Sequence, residues 1–434
     1  MLKFSVIIFF ININLVAQWS SLNNVPTGEN LNDILFTNSE VGYIVGDNST
    51  ILKTIDGGLT WNLQDSGIDN NINSAFFTSN SIGYAAAGKW DLIYYRYTLI
   101  KTTNGGSTWN VIKSGTYNDF RSVFFVNNSK GFVSGIDTIY MTTDTGESWT
   151  PKPIPINRRF YSIFFVNQIE GYIVGGDRTI YKTQNGGNNW FPQASGIFSG
   201  STFNSVYFNG LTHGYIVGTS GNFITTTNGG DTWTNSYFGA TAGLNDITFL
   251  NDNDGYIAGD YGYIYKTNNA GTDWTEEQSN TSLHLNSICF VNSNRAIAVG
   301  DSGTILINNN IVTSVDRELS SQPISKFNLS QNYPNPFNPT TKIRFSIPSR
   351  VMLNSVQHLN SEMPKQVRDV NVKLVIYDIL GNEIATLVNE QKPPGTYKVE
   401  FNSESVGRRI TSGIYFYTVT ADHFSKTKKM ILMK

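Results

Sequence analysis

An eight-residue pattern that recurs six times constrains the fold of this chain more than any other feature. Its form is Thr-x-(Asp/Asn)-x-Gly-x-x-Trp. The copies are Thr54–Trp61, Thr102–Trp109, Thr142–Trp149, Thr183–Trp190, Thr226–Trp233 and Thr267–Trp274. Repetition at a regular period indicates several copies of one supersecondary unit packed side by side.

Each octet is predicted to be a tight turn between two strands. The residues before and after the Asp/Asn-x-Gly segment are strand-like, which is typical of a β-hairpin. Asp and Asn accept hydrogen bonds from nearby backbone amides in turns, and the glycine suits a positive φ. Asn fills the acidic position in four of the six copies, and Asn is a poor metal ligand or general base. We therefore assign these residues a structural role: Asp56, Asn104, Asp144, Asn185, Asn228 and Asn269.

The spacing of the tryptophans predicts the architecture. Trp19, Trp61, Trp109, Trp149, Trp190, Trp233 and Trp274 are separated by 40 to 48 residues. Each period contains four short strands, which in the first are predicted at 32–37, 43–46, 50–54 and 60–64. Four strands in each period of this length are typical of a β-propeller blade.

The two ends of the repeat array indicate how the ring closes. The last repeat, 286–308, supplies three strands and no tryptophan, whereas Gln18–Ser21 supplies a fourth strand with Trp19. Pairing these ends would remove an open sheet edge. The prediction is an all-β chain with a seven-bladed β-propeller closed by the N-terminal strand, plus a small C-terminal β-sandwich; a six-bladed ring is the alternative.

The second repeat is longer than the others between its second and third strands, at Lys89–Tyr97. In a propeller this segment shares a face with the connections between blades, including the one that carries Arg158 and Arg159. Trp, Tyr and Arg are the residues that most often anchor interfaces. The predicted binding residues are Trp90, Tyr94, Tyr95, Arg96, Arg158 and Arg159. The alternative is a longer hairpin with solvated aromatic side chains.

The flanking segments predict export and a second domain. Residues 1–17 have the basic start and apolar core of a secretory signal peptide, with an N-terminal strand as the alternative. Residues 18–310 are expected to form the propeller, 311–326 a linker, and 327–434 a β-sandwich with a polar inserted loop at 349–369. The strands of this sandwich are predicted at 342–347, 372–377, 397–401, 413–420 and 427–434. Residues from Pro323 onward carry a net charge of +7 and the rest −9. An acidic body with a basic tail is not typical of a nucleic-acid-binding protein, and no stable membrane span is expected.

No residue pattern predicts a cofactor or a metal site. The run Asn251–Gly255 resembles a calcium loop, but its equivalents in other repeats lack acidic residues, so a hairpin turn is the simpler interpretation. Cys289 lies in an apolar run and is expected to be a buried structural thiol. Asp47, Asp177, Asp260 and Asp301 follow second strands and are interpreted as turn residues, although a ring of carboxylates on one face is the alternative.

The C-terminal residues resemble the type A sorting domain of type IX secretion in Bacteroidetes. The segments that match are Leu329–Pro348 with its Tyr-Pro-Asn-Pro-Phe-Asn-Pro run, Val375–Gly381, Pro394–Tyr397, Ser412–Tyr417 and the basic end. The insertion at 349–369 departs from the pattern. The resemblance implies export through the periplasm and outer membrane by the type IX machinery, followed by release or surface attachment.

The octets, together with the Gly-Tyr-Ile-Val-Gly strands, resemble Asp-box (BNR-type) propellers. The most similar group is the photosystem II stability/assembly-factor-like family. The same octet occurs in sialidases and xyloglucan-type glycosidases, so by itself it implies a fold and not an activity. We expect a secreted or cell-surface, non-enzymatic scaffold that binds an extracellular protein or glycan. The alternative is a secreted sialidase-like or xyloglucanase-like glycoside hydrolase.

Overall fold

The computed structural model describes residues 19–154, 156–196, 200–311, 327–333, 335–347, 370–392, 395–404, 406, 410–421 and 424–433. The predicted signal peptide (1–17), the linker from 312 to 326 and the inserted loop 349–369 lie outside these residues. The chain divides into two compact units, Met1–Ser314 and Val315–Lys434. The described residues are mostly in strands, which confirms the all-β class.

Within the described residues, the first unit contains seven four-stranded antiparallel sheets, which we number in chain order. Sheet 1 contains β2 (Leu31–Phe36), β3 (Gly42–Gly46), β4 (Ile51–Thr54) and β5 (Asn62–Gln64). Sheet 2 contains β6 (Asn71–Phe77), β7 (Gly83–Asp91), β8 (Tyr94–Thr102) and β9 (Asn110–Thr116). Sheet 3 contains β10 (Ser122–Phe125), β11 (Gly131–Ser134), β12 (Thr138–Thr142) and β13 (Thr150–Pro153).

Sheets 4 to 7 repeat this plan. Sheet 4 contains β14 (Phe160–Phe165), β15 (Gly171–Gly175), β16 (Thr179–Thr183) and β17 (Phe191–Pro192). Sheet 5 contains β18 (Phe203–Asn209), β19 (His213–Gly218), β20 (Phe223–Thr226) and β21 (Thr234–Asn235). Sheet 6 contains β22 (Leu244–Phe249), β23 (Gly255–Gly259), β24 (Ile264–Thr267) and β25 (Thr275–Glu277). Sheet 7 contains β26 (Leu285–Asn292), β27 (Arg295–Gly300), β28 (Ile305–Asn308) and, beside β28, β1 (Ser20–Ser21). Short 3-10 turns lie at Thr219–Gly221, Asp260–Gly262 and Asp301–Gly303.

The octet turns are held by their own side chains. In the first copy, Asp56 Oδ1 accepts hydrogen bonds from the Thr54 hydroxyl at 2.7 Å and the Thr60 amide at 3.0 Å. In the third, hydrogen bonds from the hydroxyl and amide of Ser148 lower the pKa of Asp144 to about 2. Asn104 accepts and donates the corresponding bonds as a neutral amide. The turn therefore works equally well with Asp or Asn.

Four of the six octets are also bound by a tyrosine of the preceding sheet. The Tyr43 hydroxyl of sheet 1 donates to the carbonyl of Gly105 in the sheet 2 turn at 2.9 Å, and Lys53 Nζ donates to the same oxygen at 2.6 Å. Burial raises the pKa of Tyr43 to about 12, so the donor keeps its proton at physiological pH. Tyr84, Tyr172 and Tyr215 repeat the contact with Thr145, Gly229 and Ala270. We call this arrangement the carbonyl clasp.

The tryptophans that recur in the repeats pack between neighbouring sheets. Trp61 is buried in a cluster that includes Val291 and Ile297 of sheet 7. Trp19 is fully buried against Tyr256 of sheet 6, and its indole N–H donates to Glu277 at 2.9 Å. Burying a side chain of this size contributes about 2 to 3 kcal/mol. Trp19 thus occupies in sheet 7 the place that the octet tryptophans occupy elsewhere.

The first strands of neighbouring sheets are joined by a row of polar side chains that we call the inner girdle. Its members are Asp33, Ser74, Ser122, Ser162, Ser205, Asp246 and Ser287. Asp33 accepts the Ala75 amide of sheet 2 at 2.9 Å. The Ser287 hydroxyl lies between two carboxyl groups, 2.9 Å from Asp246 and 3.3 Å from Asp33. Burial raises the pKa of Asp33 to about 6, and the charge of Asp246 adds to this increase.

The second unit contains two sheets with one shared core. One has the order β29 (Asn328–Leu329), β30 (Thr340–Ile347), β33 (Gly395–Asn402). The other has the order β32 (Glu383–Lys392), β31 (Val370–Tyr377), β34 (Gly413–Ala421), β35 (Phe424–Leu432). Ile343 and Phe345 of one sheet pack in the same buried cluster as Leu374 and Tyr417 of the other. This is the layered arrangement of a β-sandwich, with β29 and β32 in addition to the strands predicted from the sequence.

We expect Tyr43→Phe to lower the free energy of unfolding by about 1 kcal/mol, because the buried Gly105 carbonyl keeps Lys53 and loses one donor. All eight tryptophans lie between Trp19 and Trp274, so tryptophan fluorescence during denaturation reports the first unit alone. The control is Tyr237→Phe, which removes an exposed hydroxyl. Equal shifts in the two variants would contradict the clasp.

We expect the stability of the first unit to fall as pH rises through about 6. The folded state holds the Asp33 proton more tightly than the unfolded chain, whose carboxyl pKa is about 3.9. The stabilisation is therefore complete below about pH 4 and is lost above pH 6, by roughly 3 kcal/mol. Asp33→Asn should flatten this slope. Asp144→Asn is the control, since a pKa of about 2 lies outside that window; an unchanged slope in Asp33→Asn would refute the assignment.

Candidate functional site

The predicted insertion in the second repeat is an extension of the β7–β8 hairpin. These two strands have nine residues each, whereas the second and third strands of the other six sheets have four to six. The pairing continues through Trp90 opposite Tyr95 and Asp91 opposite Tyr94. Leu92 and Ile93 form the tip and are 89% and 80% exposed. The segment is thus a regular strand pair and not an irregular loop.

Alternation along the strands divides the predicted binding residues between the two faces of this hairpin. Trp90 and Tyr95 lie directly opposite each other and share one face, with ring centroids 4.5 Å apart. Tyr94 and Arg96 are their neighbours in sequence and therefore lie on the other face. The six predicted residues do not form one cluster.

The first face continues into sheet 4 through a cation–π contact. The guanidinium of Arg159 lies 4.4 Å from the centre of the Tyr95 ring, while Trp90 remains 52% exposed. The structure thus brings Trp90, Tyr95 and Arg159 into one contiguous surface. We call these three residues, with Leu92 and Ile93 at the tip, the hairpin patch.

A buried carboxylate positions the arginine of this patch. Asp119 is fully buried, and its Oδ2 lies 3.2 Å from Nε of Arg159 and 2.6 Å from Nη2 of Arg121. Two guanidinium groups therefore share one carboxylate, so this cluster carries one excess positive charge. The Arg121 guanidinium also lies 5.8 Å from the ring centre of Tyr161. The patch therefore combines an exposed aromatic surface with positive potential.

The other predicted residues are engaged elsewhere. Arg96 forms ion pairs with Asp69 and Asp91, each at 3.0 Å, and its hydrogen bonds lower the pKa of Asp69. Arg158 pairs with Asp177 at 2.8 Å. The Tyr94 ring lies 5.7 Å from that of Tyr117. Arg96 and Tyr94 thus make their contacts on the second face of the hairpin, whereas Arg158 is bound to the turn between β15 and β16.

Sequence reasoning missed Tyr117, Asp119 and Arg121. One signal was available for Arg121. The equivalent residue of the first strand is Asn in five sheets: Asn32, Asn73, Asn204, Asn245 and Asn286. Each of these amides donates to a main-chain carbonyl of the following sheet. An arginine in this position is therefore a departure from the repeat.

The carboxylates after the second strands have differing partners. Asp47 and Asp301 accept hydrogen bonds from Asn32 and Asn286 at 3.0 Å. Asp260 accepts from Asn245 at 3.0 Å and contacts Nδ1 of His284 at 2.9 Å. These side chains fix the turns to their own sheet, as expected of turn residues.

The calcium-like run and Cys289, which the sequence analysis also considered, show no arrangement for binding a ligand. The side chain of Asn251 accepts the amides of Asn253 and Asp254 and donates to the Asp254 carboxylate, so the calcium-like run is a self-contained turn. Cys289 is partly buried and not fully buried as expected, and desolvation raises the pKa of its thiol well above the usual value. Among the described residues, no group of three or more His, Cys, Asp and Glu side chains is arranged to hold a metal ion.

A separate surface cavity of about 410 Å³ lies beside sheet 1. It shares no residue with the hairpin patch. Its lining is mainly polar and consists of Thr27, Glu29, Asn48, Ser49, Thr50, Leu63, Gln64, Asp65 and Ser66. In the described part of the chain, no helix has the length and hydropathy to cross a membrane.

Comparison with solved structures supports a propeller-like fold for the first unit. YCF48 bound to D1 peptide matches with a TM-score of 0.57 at 19% identity, covering 68% of this chain and 98% of that one. A GH74 xyloglucanase from Xanthomonas campestris matches with a TM-score of 0.54 at 12% identity, covering 76% of this chain and 60% of that one. At these identities the likeness concerns the fold alone.

Sequence comparison shows the family. The photosystem II assembly lipoprotein Ycf48 of Parasynechococcus marenigrum (strain WH8102) is 48% identical over 46 residues, which is 11% of this chain and 14% of that protein. The secretion system C-terminal sorting domain matches residues 331–433. The model for photosynthesis system II assembly factor YCF48 matches the overlapping ranges 11–150, 102–194 and 143–240. The chain therefore belongs to the YCF48-like family of BNR propellers and ends in a secretion sorting domain.

Proposed function

We propose that this chain is a secreted or cell-surface, non-enzymatic scaffold that binds an extracellular protein or glycan. The binding surface is the hairpin patch, with Tyr94, Arg96 and Arg158 at its margin. The scaffold is a seven-bladed propeller spanning residues 18–310. A signal peptide at 1–17 directs the chain to the periplasm, and the type IX machinery exports it by means of the sorting domain at 327–434.

The contacts between the first and last sheets support a closed seven-bladed ring. Arg295 of sheet 7 donates to the Gly57 carbonyl of the first octet at 2.7 Å, in the place of a carbonyl clasp. Asn286 donates to the Leu31 carbonyl at 3.0 Å. The strand Ser20–Ser21 completes sheet 7. The same kinds of contact thus join sheet 7 to sheet 1 as join the sheets between them.

The exposure of Trp90 is the observation that carries the binding proposal. A tryptophan, a leucine and an isoleucine are presented to water by an extended strand pair, although a shorter hairpin suffices in the other sheets. Large exposed apolar groups with a neighbouring arginine are typical of binding anchors. A partner that covered this surface would bury the Trp90 ring and meet the positive charge of Arg121 and Arg159.

The alternative, a glycoside hydrolase, rests on the fold shared with the xyloglucanase. Glycosidases require two carboxyl groups placed on either side of the sugar bond. Asp33 and Asp246 are the pair with raised pKa values, but each accepts backbone amides and Ser287 bridges them. These bonds occupy the oxygens that would act on a sugar, which favours the scaffold.

We expect Trp90→Ala to weaken partner binding at least tenfold, because it removes the main apolar contact area of the patch. The measurement uses the purified full chain on a glycan array and on intact cells of the producing bacterium. Phe191→Ala is the matched control, since Phe191 is a similarly exposed aromatic residue on sheet 4.

Equal binding by wild type and Trp90→Ala on both surfaces would exclude the hairpin patch as the binding site. The same glycans should be screened for hydrolysis by the wild-type chain. Hydrolysis of any glycan would contradict the scaffold proposal and support the glycoside hydrolase alternative. Binding without turnover would support the scaffold.

A further inference from the structure

The turn between β31 and β32 in the second unit presents two large apolar side chains to water. Ile379 is 68% exposed and Leu380 is 82% exposed. Tight turns normally contain Gly, Pro, Asn, Asp or Ser, because those residues suit the backbone geometry and remain solvated. Neither Ile379 nor Leu380 belongs to the core of the unit. Their apolar character therefore needs a reason other than folding.

The backbone of this turn is held firmly. Asp378 Oδ1 accepts the amides of Leu380 and Asn382, each at 2.9 Å, and Asp378 Oδ2 accepts the Asn382 side-chain amide at 2.9 Å. The Asp378 amide donates to the Asn382 carbonyl at 3.0 Å. Gly381 adopts a φ of 84°, which only glycine accommodates without strain. A rigid support of this kind reduces the entropy lost when the two side chains are bound.

We propose that Ile379 and Leu380 form an apolar knob that docks into the export machinery when it reads the sorting domain. The occupant is a protein with an apolar pocket, since two adjacent aliphatic side chains on a fixed turn match a small concave surface and offer no charge to a phosphate or a glycan. The match of the sorting-domain family to residues 331–433 includes the whole turn and indicates what kind of protein binds this unit. The inference rests on the proposed export through the sorting domain and is independent of the hairpin patch.

The test is export of the full chain by a bacterium that secretes proteins carrying this sorting domain. Replacing both residues, Ile379→Ser and Leu380→Ser, should reduce the exported fraction at least tenfold and leave the chain in the periplasm. The conservative pair Ile379→Val and Leu380→Met should be exported as the wild type is, because both side chains stay apolar. Ile414→Ser is the matched control, as it removes another exposed aliphatic side chain from the same unit.

Folding and export must be separated. Since both residues are exposed, the double Ser variant should unfold at the same temperature as the wild type and resist protease equally. Normal export of the double Ser variant would overturn the proposal. If that variant were exported normally but lost self-association, the partner of the knob would be a second copy of the chain and not the export machinery. Trp90→Ala should be exported normally, so a failure of the binding proposal would not affect this result.

Discussion

Five of the six octet turns of the first unit share one interaction, the capture of a turn carbonyl by the preceding sheet. An octet turn satisfies its own amides through Asp or Asn, but the carbonyl at its tip points away from the turn. A tyrosine hydroxyl and a lysine ammonium of the neighbouring sheet donate to that oxygen, as Tyr172 and Lys182 do for Gly229. A buried carbonyl without a partner would cost about 1 to 3 kcal/mol. At these junctions the buried carbonyl of one sheet therefore depends on a donor from its neighbour.

The sequence predicts what is determined locally or by repetition. The octet turns, the four strands of each repeat and the place of Trp19 in the last sheet follow from spacing alone, since each repeat supplies the same contacts. The division of the β7–β8 hairpin into two faces was not predicted. That division depends on whether the extended strands stay in register, because a shift of one residue in a strand would move its side chains to the opposite face. The shared carboxylate of Asp119 was missed because it pairs with Arg159, which lies far away in the sequence.

Burial explains the strands that were missed in the second unit. The edge strand Glu383–Lys392 is largely exposed, so its residues show little of the alternation that identifies a half-buried strand. The two-residue strand Asn328–Leu329 is too short to show any period. By contrast, Val370–Tyr377 lies between two strands and buries alternate side chains, and the sequence predicted most of it.

A specialised surface can arise only where the repeat can lose one of its own contacts. In five sheets an asparagine binds a carbonyl of the next sheet, and Arg121 has replaced that asparagine in sheet 3. The carbonyl of Phe160 is bound instead by the hydroxyl of Ser134 at 2.9 Å. Ser134 is buried where the other sheets have Val or Ala. This substitution releases Arg121 to pair with Asp119 and so to share the carboxylate that positions Arg159. The polar residue in an apolar strand and the arginine in the asparagine position are two parts of one change, and together they supply the charged support of the hairpin patch.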